Sequence, residues 1–177
     1  MSGIVDALYE LKYNPFEYGS YIASFYSSLG SLESNFLLAP LVIPLCSHPF
    51  FSIKLEGSNA NSSLWTVFGG ETKINNARDQ EKYERFLSNS SKNKISHKEK
   101  LYDLQERIDG FQELTEQCIQ YCLVNDWLSV DEDNLILCPS VESDFTFTNQ
   151  KSAEKLGRLF SSHSVVEIYA FLGVKPR

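Results

Sequence analysis

The chain has 177 residues, of which 42% are hydrophobic and 22% charged, and its formal net charge at pH 7 is −7. This length predicts one domain, or two small domains that share a core, and it excludes the need for a cofactor to hold the fold together. Many globular domains share this composition, so a function has to be inferred from local patterns.

The N-terminal part of the sequence predicts neither a secretory signal nor a membrane span. Residues 1–13 contain Asp6 and Glu10 and lack a basic start followed by an apolar core. The most apolar stretch, residues 36–46, has eleven residues, whereas a bilayer span needs about 20. We therefore expect a cytoplasmic protein that does not contact a membrane.

The first clear helix is predicted from Pro15 to about Leu29. Asn14 is a typical capping residue before a proline at the first helical position, and Glu17 stands where a capping-box carboxylate reaches back. Gly30 is expected to end the helix. Apolar residues at spacings of three and four predict a buried face made of Ile22, Phe25, Tyr26 and Leu29.

The apolar stretch that follows is predicted to be a bent helix. Pro40 and Pro44 are four residues apart, so both remove backbone hydrogen bonds on the same face. Two interpretations remain open. The segment is either a bent core helix or a docking surface for a partner around Pro40, Pro44 and His48.

Residues 71–100 are predicted to be a polar insert between an N-terminal helical region, residues 1–70, and a C-terminal region, residues 101–177, within one compact domain. The end of the insert has the sequence SNSSKNKISHKEK and is typical of a loop. Its basic residues are either solvated or in contact with DNA phosphates. They are Lys92, Lys94, Lys98 and Lys100.

A long helix, or two helices joined near Gly110, is predicted to run to about Asn125. Ser96 and Glu99 have the spacing of a capping box at its start. Apolar residues then recur every three or four positions: Leu101, Leu104, Ile108, Phe111, Leu114, Cys118 and Cys122.

A β-hairpin is predicted over residues 126–139. Leu128 and Val130 alternate with polar neighbours, and an acidic turn at residues 131–134 separates them from an apolar strand. We expect Trp127 and either Leu135 or Leu137 to be largely buried. Helices followed by a hairpin have the order of a winged helix, a fold that serves either to read DNA or to dock proteins.

Two further helices are predicted near the C-terminus. The first runs from Gln150 to about Phe160, and the second starts at a capping box formed by Ser164 and Glu167 and ends at Gly173. The predicted fold is therefore mainly α with a small β-hairpin, in which a winged-helix-like C-terminal half packs on an N-terminal helical region. Residue type makes three C-terminal side chains candidate anchors for a partner: Tyr169, Phe171 and Arg177.

Charge separates the two uses of a winged helix. Residues 108–150 contain nine acidic residues and no Lys or Arg, whereas residues 73–107 contain nine basic and six acidic residues. The candidate recognition helix offers Glu113 and Glu116, and such a surface repels DNA phosphates. The pattern therefore favours protein docking.

The sequence contains no recognisable catalytic or metal-binding motif. The glycines of FGG at residues 68–70 lack the flanking pattern of a phosphate loop, and the three histidines are scattered. The four cysteines show no CxxC pair and are expected to be buried thiols. We expect a protein that is not an enzyme and binds neither a metal nor a cofactor.

Four segments together resemble a known family. They are NPFEYGSYIASFYSSLG, LLAPLVIPLCSHP, CLVNDWLSVDEDNLIL and SAEKLGRLFSSHSVVEIYAFLGVKP, in that order. The chain resembles the middle component of bacterial three-component ABC-ATPase systems, a group that includes Lamassu-type antiphage defence. The resemblance implies a small non-enzymatic subunit that joins an SMC- or Rad50-like ATPase to an effector, often a nuclease, and that meets DNA only through the complex. The alternative hypothesis is a winged-helix regulator that binds nucleic acid.

Overall fold

The computed structural model describes residues 2–87, 93–140 and 147–176. Within these ranges the chain is mainly helical. The α-helices are α1 (Ser2–Lys12), α2 (Pro15–Leu29), α3 (Ala39–Cys46), α4 (Pro49–Glu56), α5 (Ala77–Tyr83), α6 (Leu104–Gly110), α7 (Gln112–Val124), α8 (Lys151–Phe160) and α9 (Val165–Leu172). Short 3₁₀ turns and one π-helical turn, Trp65–Gly69, connect some of them.

Two small antiparallel strand pairs complete the fold. Strand β1 (Glu71–Lys73) pairs with β2 (Lys94–Ser96), and β3 (Leu128–Asp131) pairs with β4 (Ile136–Pro139). The predicted fold class, mainly α with a small hairpin, is confirmed.

Helix α2 lies at the centre of the core between α7 and α8. Two glycines allow the close approach of these helices. A Cβ atom on Gly157 of α8 would lie 2.4 Å from the Phe25 carbonyl oxygen, and one on Gly19 of α2 would lie 2.9 Å from the Tyr121 ring of α7. The predicted apolar face of α2 is buried, and the Asn14 side chain caps the helix by accepting a hydrogen bond from the Glu17 N–H at 3.0 Å.

The proline-rich segment is a core element, and its bend lies elsewhere than predicted. A 3₁₀ turn leads into α3, where Pro40 occupies the first turn and therefore interrupts no hydrogen bond. Pro44 is inside α3, and the Arg107 Nη1 atom donates to the Pro44 carbonyl oxygen at 2.7 Å. The chain turns after Cys46 instead, because a new helix begins at Pro49.

Among residues 2–87, 93–140 and 147–176, no single helix has the length and apolar character to cross a membrane. One pair, Asn35–Cys46 with Pro49–Glu56, meets both criteria together, but it is bent by 104° at the break.

The side chain of Asn35 joins the hairpin to the N-terminal helices. Asn35 is fully buried; its Nδ2 atom donates to the Leu137 carbonyl oxygen at 2.9 Å, and its Oδ1 atom accepts from the Leu137 N–H at 2.7 Å. The Tyr26 hydroxyl of α2 donates to the Asn35 carbonyl oxygen at 2.9 Å. The amide side chain thus replaces a neighbouring strand for β4, and we call these contacts the Asn35 joint.

The predicted hairpin is confirmed. Helix α7 ends at Val124, Trp127 and Leu137 are buried, and Leu135 is the exposed member of the predicted pair. Helices α6 and α7 followed by β3 and β4 have the predicted order, while the likeness to a winged helix stays a prediction.

The predicted polar insert, residues 71–100, contains β1, α5 and β2, and its role as an insert stays a prediction. One local prediction needs correction, because Ser96 pairs with Glu71 in the β1–β2 ladder and caps no helix among the described residues. The predicted long helix is two helices that meet at Phe111, which was one of the two alternatives. The capping box of α9, Ser164 with Glu167, is present as predicted.

We expect replacement of Asn35 by Ala to lower the free energy of unfolding by about 2–4 kcal/mol, because the Leu137 N–H and carbonyl would then be buried without partners. Urea unfolding measures this change. The matched control is Asn125→Ala, which removes an exposed amide that bonds the Tyr121 carbonyl and should cost less than about 0.5 kcal/mol. Equal, small effects of the two substitutions would contradict the role of the joint.

Candidate docking surfaces

The structure places the predicted interface residues in different environments. Pro40 and His48 are half-buried, whereas Pro44 is buried in α3. Tyr169 is only 4% exposed, and its hydroxyl donates to the Leu37 carbonyl oxygen at 2.6 Å. Pro44 and Tyr169 therefore belong to the core and present no side chain to a partner in this structure. Arg177 lies outside the described residues.

Phe171 does belong to an exposed aromatic surface, together with a residue that the sequence did not single out. Trp65 is 63% exposed and Phe171 36% exposed. A Cβ atom on Gly69 would lie 2.6 Å from the Trp65 ring and 3.1 Å from the Phe171 ring, so both rings pack closely on this glycine. We call Trp65 and Phe171 the Trp65 surface.

Helix α1 presents a second apolar surface. Ile4, Leu8 and Leu11 are spaced by four and three residues, so they share one face, and each is more than 60% exposed. The other side of the helix is held by aromatic contacts, since the Tyr9 and Tyr13 ring centroids are 4.7 Å apart and Tyr13 lies 5.2 Å from Phe111. We call Ile4, Leu8 and Leu11 the α1 face.

A third surface is a groove of about 460 Å³ between the start of α3 and the length of α7. One wall consists of Phe36, Ala39 and Pro40, so one residue of the predicted proline surface does line a groove. The other wall comes from α7, with Gln112, Thr115, Glu116, Ile119, Gln120 and Leu123. We call it the α3–α7 groove.

His48 has a structural task at the bend between α3 and α4. Its Nδ1 atom accepts a hydrogen bond from the Phe50 N–H at 3.2 Å and so caps α4. The imidazole lines a pocket of about 350 Å³ with Tyr9, Tyr13 and Arg107 among its neighbours. Burial, followed by the positive charge of Arg107, lowers the pKa of His48 from 6.5 to about 4.

His97 is a second buried histidine. It is 1% exposed, and its Nε2 atom lies 2.7 Å from the Thr72 hydroxyl, which also accepts from the Lys54 ammonium at 3.2 Å. The Thr72 hydroxyl therefore links the imidazole to the Lys54 ammonium. Burial, followed by the charge of Lys54, lowers the pKa of His97 to about 4.

The predicted phosphate-contacting lysines are partly engaged. The Lys94 ammonium lies 3.4 Å from the Glu71 carboxylate across the β1–β2 pair. The Lys100 ammonium donates to the Phe86 carbonyl oxygen at 3.4 Å, and Lys98 lies on the same 3₁₀ turn. Lys92 lies outside the described residues. Whether this group contacts phosphates stays a prediction.

The cysteines are free thiols, as predicted. Cys46, Cys118 and Cys122 are buried and Cys138 is half-buried. Burial raises the pKa of each of the three buried thiols to about 12, so they remain protonated at neutral pH. In the described part of the chain, no group of three or more His, Cys, Asp or Glu side chains is arranged to hold a metal ion.

These observations define a mainly helical protein with small antiparallel strand pairs and, in the part of the chain that the structure describes, three apolar surfaces. The family model of the ABC-three component (ABC-3C) system Middle Component 3 matches residues 2–176, and the chain belongs to that family. This confirms the resemblance to a middle component of such systems, while the Lamassu type stays a prediction. Comparison with curated proteins gave no match, and neither did comparison with solved structures.

The two histidines predict a pH-dependent stability. Because their pKa values are lowered from 6.5 to about 4 in the folded chain, the unfolded chain binds more protons between these values, and stability is lost as the pH falls from about 6.5 towards 4. Each histidine contributes at most about 1.4 kcal/mol per pH unit. The test compares urea unfolding of the parent and His48→Asn at several pH values in this window.

Asn is also a favourable N-cap residue, so His48→Asn keeps a cap on α4 and removes one of the two titrations. We expect the variant to lose less stability than the parent between pH 6.5 and 4. An identical loss in both proteins would show that His48 does not titrate as stated.

Proposed function

We propose that this chain is a non-enzymatic adaptor subunit that joins an SMC- or Rad50-like ABC ATPase to an effector, such as a nuclease, in a cytoplasmic complex of bacterial antiphage or plasmid defence of the Lamassu type. In this proposal the C-terminal half acts as a winged-helix-like docking module, and DNA is met only through the complex.

The observation that carries the proposal is the family membership over residues 2–176. A middle component of a three-component ABC system works together with the other components, so an adaptor role follows from the family more directly than any other role does. The match covers almost the whole chain, and the proposed role therefore belongs to the fold as a unit.

The exposed apolar surfaces support the same proposal. Single exposed apolar residues are ordinary, whereas groups of them mark interaction sites. Aromatic side chains are favoured anchors in interfaces, and Trp65 is 63% exposed beside Phe171. We assign the ATPase to the Trp65 surface, which keeps the predicted C-terminal location but replaces the buried Tyr169 by Trp65.

The charges favour the adaptor over the nucleic-acid-binding regulator. Helix α7, the candidate recognition helix, carries Glu113 and Glu116 and no basic residue, and the hairpin turn adds three acids in residues 131–133. Lys94 is already paired with Glu71. A DNA reader needs positive charge on these elements to neutralise phosphates.

We expect the full chain to copurify with the ATPase component of its own system, and Trp65→Ala to weaken this complex by at least about 1 kcal/mol, since truncation of an aromatic anchor commonly costs this much. Isothermal titration calorimetry of the two purified proteins measures the change. The matched control is Tyr102→Ala, because Tyr102 is 95% exposed and is not one of the residues that define the Trp65 surface.

Two results would contradict the proposal. One is that no ATPase copurifies with the chain from its native host. The other is tight, sequence-specific duplex binding by the chain alone, which would favour the regulator. If the ATPase binds the parent and Trp65→Ala equally well, the adaptor role stands and the assigned surface is wrong.

A further inference from the structure

Resting on the proposed function, we infer that the α3–α7 groove binds an amphipathic helix from another component of the same system, and that this helix carries Lys or Arg beside its apolar stripe. Three features specify the occupant: the shape of the groove, the charge of its rim, and a strained residue that contacts one of its walls.

The shape of the groove fits a helix. Its α7 wall runs from Gln112 to Leu123, and a rise of about 1.5 Å per residue makes this wall roughly 16 Å long, or about three helical turns. Ile119 and Leu123 on this wall face Ala39 and Pro40 on the other. A helix that lays residues i, i+3 or i+4, and i+7 into such a groove is a common mode of recognition.

The charge of the rim selects a basic partner. Glu116 lines the groove. Residues 108–150 contain no Lys or Arg, so no basic side chain of α7 or of the β3–β4 hairpin offsets this carboxylate. Opposite charges guide association and exclude wrong partners.

The same charges disfavour a second copy of this chain as the occupant. A second copy would offer the apolar α1 face, and residues 2–12 of the sequence contain two acidic residues and one basic residue. Each copy also has a net charge of −7. Like charges would therefore oppose this association.

The backbone of Leu135 contacts a residue of one groove wall. The Phe36 N–H donates to the Leu135 carbonyl oxygen at 3.2 Å, so Leu135 lies beside the wall residue Phe36. Leu135 has a φ of 53°, a left-handed conformation that favours Gly or Asn, and its side chain is 53% exposed. The left-handed conformation of Leu135 costs free energy, and in the free subunit burial of its exposed side chain does not offset that cost. An apolar partner would cover this side chain.

The first experiment measures binding of the full chain to each of the other two components separately. We expect Glu116→Lys to weaken binding to one component by about fivefold or more at about 50 mM salt, with a smaller effect at about 300 mM. Glu113→Lys is the matched control, because both glutamates accept a hydrogen bond from a glutamine four residues away and only Glu116 lines the groove.

Leu135→Gly separates binding from folding. Glycine accepts the left-handed conformation without strain, so we expect the urea midpoint of this variant to stay at or above that of the parent while binding to the same component weakens. If the Glu116→Lys and Leu135→Gly variants bind both components as tightly as the parent chain does, the inference is wrong.

A photocrosslink identifies the occupant. p-Benzoylphenylalanine in place of Gln120, which is exposed on the groove wall, should capture a segment with apolar residues at helical spacing and Lys or Arg beside them. Capture of an acidic segment, or of a second copy of this chain, would overturn the inference.

The groove and the proposed function can fail separately. If Trp65→Ala weakens the ATPase complex while the groove variants bind both components normally, the adaptor role stands and the groove inference is wrong. If neither component binds the parent chain, both are wrong.

Discussion

The structure depends on the Asn35 joint. A two-stranded hairpin is at best marginally stable alone, and here the buried amide of Asn35 satisfies both backbone groups of Leu137 in β4. The Tyr26 hydroxyl of α2 donates to the Asn35 carbonyl oxygen, and the Tyr169 hydroxyl of α9 donates to the Leu37 carbonyl oxygen. Segments that are distant in sequence therefore meet at residues 35–37, which also begin the wall of the α3–α7 groove.

This arrangement explains how a small subunit can present several surfaces at once. Because most of α3 and nine of the fifteen residues of α2 are buried, the core fixes the position of α7, one side of which stays exposed. The Trp65 surface is held by close packing of two rings on Gly69, and the α1 face is held by Tyr9 and Tyr13. Surfaces fixed by a rigid core lose less conformational entropy when a partner binds.

Local signals in the sequence predicted the parts of the fold that local contacts decide. The caps at Asn14 and Ser164 depend on residues three positions away, so spacing was enough to find both helices. The acidic turn between two apolar runs likewise predicted the hairpin. Asn76, which caps α5 by accepting from the Asp79 N–H, carried the same kind of signal and could have revealed that helix.

Contacts between distant residues could not be predicted in this way. The pairing of Glu71 with Ser96 joins strands of three residues each, too short for an alternation to be visible. The burial of Tyr169 depends on the Leu37 carbonyl, and the exposure of Trp65 beside Phe171 depends on Gly69. The bend after Cys46 was misplaced because a proline in the first turn of a helix costs nothing, and only the structure locates that turn.

The most direct test of the adaptor role is to assemble the ATPase and the effector of the native system with and without this chain. Affinity capture of the ATPase, followed by quantification of the effector, gives the result. The account predicts that the effector is recovered with the ATPase only when this subunit is present, and that adding the purified subunit back restores recovery. Equal recovery of the effector in the absence of the subunit would contradict the account.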